Sequence, residues 1–94
     1  MLRQTMDELT RWVLSVDRRT LAMRALETSS AFSASEIASR SGRSVQNISR
    51  ALHELEERGL VECLTPEKPS WKRYLLTPRG RTVLEDLKAS ELIA

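Results

Sequence analysis

Within a helical run from Val45 to Arg58, Gln46, Asn47 and Arg50 fall on or near the side opposite an apolar stripe of Val45, Ile48, Leu52 and Leu55, given about 100° per residue. Glutamine and asparagine each present a donor beside an acceptor, the pattern that pairs with adenine. The parallel donors of arginine match the two acceptors of guanine. A merely solvated helix usually carries glutamate and lysine here. These three residues are therefore candidate readers of base edges in a major groove, with His53 at one edge of the same side. A second set suits phosphate oxygens. Arg40, Arg43 and Ser44 flank the turn before this helix, and Lys68, Lys72 and Arg73 lie in a later segment with strand character. Each phosphate neutralised adds about 0.9 to the salt slope of binding. Capping of its own helix also explains Ser44, and protection of an exposed strand edge also explains the basic strand residues.

Other chemistries lack their parts. His53 is followed directly by Glu54, and neighbours on a helix do not face each other, so no histidine–acid pair is prepared. There is no glycine-rich phosphate loop, nucleophile elbow or paired-carboxylate cleft, and an enzyme is not expected. The chain has one cysteine and one histidine, which form neither an internal disulfide nor a structural zinc site; no metal and no cofactor are expected. No stretch approaches the roughly 20 apolar residues of a membrane span, and acids stand near the start where a secretory leader would be apolar. The expectation is a cytoplasmic protein with no membrane partner.

The 94 residues, 40% hydrophobic and 30% charged, suit one globular domain. A chain this size buries only about two thirds of its unfolded surface, so a second copy would add useful burial. The net charge is only +2, with a pI near 9.1, but its distribution is uneven. No acid lies between Glu36 and Glu54 or between Glu67 and Glu85, and the acids gather elsewhere, as at Asp7–Glu8 and Glu54–Glu57. The molecule should be electrically two-sided.

The elements that must position these residues follow from periodicity and punctuation. Leu2, Met6, Leu9, Trp12 and Val13 form one stripe of a helix over residues 3–15. The stripe suits either a core or a contact with a second copy, and the second copy is the expectation adopted. A second helix over 17–27 has Ser15 or Asp17 as its cap and turns Leu21, Ala22, Ala25 and Leu26 inward. After a small polar linker with a short strand at Ala31 and Phe32, Ser33 or Ser35 caps a helix through Arg40, and Glu36 completes a capping box on Ser33. Gly42 suits the left-handed residue of a tight turn, Ser44 caps the next helix and Gly59 ends it. Residues 60–64 and 71–76 read as a hairpin around 65–70, with Tyr74 in the core and Trp71 at the hairpin base. Thr77 and Pro78 open a last helix with Val83, Leu84, Leu87 and Leu92 inward. Arg18, Arg19 and Arg24 read as solvated.

Three helices, the second and third joined by a glycine turn, followed by a hairpin, are the element order of a winged helix-turn-helix. The expected fold class is mainly α with a small β-hairpin: a three-helix core, a two-stranded wing, and extra N- and C-terminal helices. Ser33 to Gly80, about half of the chain, resembles the winged-helix core of MarR-like and ArsR-like prokaryotic and archaeal regulators. The resemblance lies in Ile37 and Ala38 before the turn, in Ser49, Arg50, Leu52 and Leu55, in the RGLVE run at Arg58–Glu62 and in YLLTPRG at Tyr74–Gly80. It implies that the helix from Ser44 is a recognition helix. ArsR-like metal sensors carry cysteine or histidine clusters, which this chain lacks. MarR-like regulators are usually longer, with more helix around an effector cleft.

The resulting expectation is a homodimeric, sequence-specific double-stranded DNA-binding regulator, a repressor. Residues 1–16 form its dimerisation helix, 17–77 the winged-helix core and 78–94 a C-terminal helix. Recognition helix 44–58 would lie in the major groove and wing 65–73 on the backbone or minor groove. Alternatives are a winged helix used for protein contacts through the Trp12 stripe and a non-specific architectural DNA binder.

Overall fold

A computed structural model describes the backbone of residues 2–28, 30–65, 67 and 72–93, and the side chains of 8–28, 30–65, 67 and 72–89. Among the described residues, five helices and three strands follow in the order α1 (Leu2–Leu14), α2 (Asp17–Ala25), β1 (Phe32–Ser33), α3 (Ala34–Ser41), α4 (Val45–Glu57), β2 (Val61–Cys63), β3 (Arg73–Leu76) and α5 (Pro78–Ile93).

The helix-turn-helix is built by local bonds. Ser33 Oγ accepts from the Glu36 N–H at 3.2 Å while Glu36 Oε1 accepts from the Ser33 N–H at 2.8 Å, so both side chains satisfy orphan donors of α3. Gly42 ends α3 in the left-handed region at φ 71°, and the Arg43 N–H returns to the Ala38 carbonyl at 3.1 Å. Ser44 Oγ then accepts from the Asn47 N–H at 3.1 Å and starts α4. The inner face of α4 is Ile48, Ala51, Leu52 and Leu55, all fully buried. They meet Val13, Met23, Leu26, Ile37, Leu60, Val83 and Leu87 in one core cluster. Each such side chain contributes about 1.5–3 kcal/mol when buried.

The wing is a three-stranded antiparallel sheet in the order β1-β3-β2. Tyr74 sits at its centre, opposite Phe32 on one side and Cys63 on the other, and is buried, which pushes its hydroxyl pKa up. The short strand expected at Ala31–Phe32 forms one residue later and extends the anticipated two-stranded hairpin. Thr77 caps α5 by accepting from the Gly80 N–H at 3.0 Å. With the helices in this order around the sheet, the architecture is a winged helix-turn-helix.

Several expectations are corrected. Leu9 and Val13 are 6% and 0% exposed in the single chain, because α1 packs on α2 and α5; they belong to the core and offer no surface to a second copy. Trp12 is half-buried against the same core. Leu2, Met6, Leu92 and Trp71 lie outside the described side chains. Val45 is 49% exposed although it falls on the apolar stripe of α4. Leu21 and Ala25 are only half-buried, whereas Met23 is fully buried. Neither Ser15 nor Asp17 caps α2: its N-cap is Val16, without a side-chain bond, and Ser15 Oγ instead donates to the Trp12 carbonyl at 2.7 Å.

Candidate nucleic-acid interface

The side of α4 turned away from the core holds an open depression lined by Gln46, Ser49, Arg50 and His53. Gln46 and Arg50 thus come together as their spacing required. Ser49, three residues after Gln46 and four before His53, completes this side; in the sequence its spacing is the signal for that role. Asn47 is exposed but does not line the depression, because one residue beyond Gln46 turns it toward the flank. Among the described residues, Arg50 has no carboxylate partner. Its charge is free to face a ligand.

The back half of α4 is tied to α1 and α2. Glu54 accepts from Arg18 Nη2 at 2.9 Å and from Arg19 Nε at 3.0 Å. Arg19 also donates to the Trp12 carbonyl at 2.8 Å, and the Trp12 ring lies between the guanidinium groups of Arg19 and Arg58, 3.9 and 4.4 Å from its centre. Arg18 and Arg19 are therefore structural and not merely solvated. The Arg19 hydrogen bond, followed by that of Arg18, holds the Glu54 carboxyl below the usual glutamate range. One acid of α4 is thus neutralised within the fold, while Glu56 and Glu57 remain exposed at the end distant from Gln46.

The expected phosphate-binding residues separate into two groups. Ser44 is exposed and its oxygen is engaged as the cap of α4. Lys72 stands beside β3, half-buried. The other three have partners in the fold. Arg40 is exposed with its guanidinium 4.4 Å over the Phe32 ring. Arg43 pairs with Asp17 at the start of α2, both side chains remaining largely in solvent. Arg73 Nη1 donates to Glu36 Oε1 at 3.1 Å and to the Ala31 carbonyl at 3.3 Å, so it braces β3 against the start of α3. Glu36 has a lowered pKa, first because it accepts from the Ser33 N–H and then because of the neighbouring Arg73. Lys68 lies outside the described residues.

Among the described residues no three histidine, cysteine or acidic side chains are grouped to hold a metal. No helix among them is long and apolar enough to cross a membrane.

This arrangement matches solved structures. A MarR family transcription regulator, SP03579, is 28% identical with a TM-score of 0.75, the match covering 98% of this chain and 64% of that one. The MepR protein of S. aureus in its DNA complex is 18% identical with a TM-score of 0.72, covering 98% of this chain and 78% of that one. The PcaV transcriptional regulator of Streptomyces coelicolor, in complex with its natural ligand, is 19% identical with a TM-score of 0.73, covering 83% of this chain and 56% of that one. The chain thus spans less than two thirds of SP03579 and of PcaV. No curated protein matches it in sequence. The HVO_A0114 family profile matches residues 13–72, more than half of the chain. The chain belongs to the HVO_A0114 family and has the winged helix-turn-helix fold of MarR-family transcription regulators.

Proposed function

We propose that this chain is a sequence-specific double-stranded DNA-binding transcription regulator that acts in the cytoplasm as a homodimeric repressor and is not an enzyme. The observation that carries this reading is the outward side of α4, where Gln46, Ser49, Arg50 and His53 share one open depression. These side chains hydrogen-bond base edges, and a helix of this diameter fits a major groove. Residues 44–58 are the recognition helix in this reading. Asn47 reads from its flank. Arg40, Arg43 and Ser44 approach phosphates beside the turn, and wing residues 65–73, Lys72 and Lys68 foremost, approach the adjacent backbone or minor groove. The MepR–DNA structure supports the reading through its shared fold. A two-fold dimer would place two recognition helices in successive major grooves, about 34 Å apart.

Selection of bound duplexes from a random DNA pool should return a palindrome with half-sites about one helical turn apart. On that site, Arg50→Ala and Gln46→Ala should each weaken binding about 5- to 100-fold in mobility-shift titrations. Equal and weak binding by wild type and both variants would overturn base reading and favour a protein-interaction role.

A further inference from the structure

Three large apolar side chains stand in solvent among the described residues: Leu14, Val45 and Leu64. Leu14 closes α1 and Leu64 follows β2, and neither lines the depression on α4. Val45 opens α4 and is 49% exposed, while Ile48, Leu52 and Leu55 on the same stripe are fully buried. The stripe therefore runs one turn past the body on which it packs. A β-branched side chain there is a weaker helix former than alanine or glutamate, and about half of it stays outside the chain's own packing.

On the helix surface Val45 neighbours Ser49, one turn on, whose hydrogen-bonding side chain lines the same depression as Gln46 and Arg50. A recognition helix meets base edges chiefly with its N-terminal residues, so the first turn of α4 comes nearest the bases. On that floor the aliphatic group is the 5-methyl of thymine, and 5-methylcytosine places the same group in a C·G pair. We propose that Val45 is a specificity-determining residue that packs on a pyrimidine 5-methyl group in the major groove. This deepens, and rests on, the reading of α4 as a recognition helix.

The test uses the full chain and the duplex selected from the random pool. Each thymine of a half-site is replaced in turn by deoxyuridine, which removes only the methyl, and the affinities of wild type, Val45→Ala and Val45→Thr are measured. At one thymine per half-site, wild type should lose about 3- to 5-fold on deoxyuridine, the worth of one buried methyl, and Val45→Ala should lose less than about 1.5-fold. Val45→Thr, which keeps one methyl at the same volume, should fall between them and shows whether shape alone matters. In a second arm, a C·G pair at that position is compared with its 5-methylated form. Tighter binding of the methylated pair identifies the methyl itself as the ligand, whereas equal binding of both overturns the methyl contact. Sensitivity to no thymine, or equal sensitivity in wild type and Val45→Ala, overturns the inference while leaving DNA binding intact. Failure of wild type to bind any pool duplex overturns both this inference and the regulator reading beneath it.

Discussion

Gly80 rests against the carbonyl of Leu60: a Cβ built on Gly80 would lie 2.0 Å from Leu60 O and 3.0 Å from its carbon. That carbonyl cannot retreat freely, because it accepts from the Thr77 N–H at 3.0 Å and so joins the start of α5 to the end of the helix-turn-helix. Gly80→Ala should therefore destabilise the fold by about 2–3 kcal/mol through overpacking. Thermal and denaturant unfolding check this, and an unchanged transition would refute the close approach.

Glu54 links α4 to both Arg18 and Arg19 with its side chain 24% exposed. Its pKa is lowered in the folded state, so its contribution to stability is present above the ordinary glutamate value of about 4.3 and is lost as the pH falls through the lower folded value. Glu54→Gln should cost about 1 kcal/mol at neutral pH. The gap between variant and wild type should close in acid. Denaturant midpoints measured from pH 7 to pH 3 would show it, and a constant gap would contradict the linkage.

Trp12 is held between Arg19 and Arg58 at 3.9 and 4.4 Å. Trp12→Ala should lower the stability of the single chain by about 1–3 kcal/mol, from lost burial and two cation–π contacts. The loss should be the same at low and high protein concentration. A loss that appears only at low concentration would instead return Trp12 to an interface between two copies.

Lys72 and Arg73 are adjacent, both basic, and differently employed. Arg73 braces Glu36 and the Ala31 carbonyl, so Arg73→Ala should lower the unfolding midpoint. Lys72→Ala should leave that midpoint unchanged and reduce the salt slope of DNA binding by about 0.9, one phosphate's share. Unfolding curves and binding at several salt concentrations separate the two, and an unchanged slope would remove Lys72 from the backbone contacts.

The sequence by itself determined whatever depends on groups a few residues apart. Ser33 with Glu36, Gly42, Ser44 and Thr77 end and start helices through bonds spanning three or four residues or through one backbone angle, and each does what its type and position required. Helical periodicity likewise put Gln46 and Arg50 on one side. Periodicity states a direction, however, and not what lies along it. Only the tertiary structure decided that Leu9 and Val13 meet the chain's own core and that the body stops short of Val45. The same holds for the arginines: Arg18 and Arg19 find Glu54 across 36 and 35 residues, and Arg73 finds Glu36 across 37. Those partners are chosen by how the helices and the sheet dock, and docking is settled by the shape of the whole core rather than by any short stretch of chain.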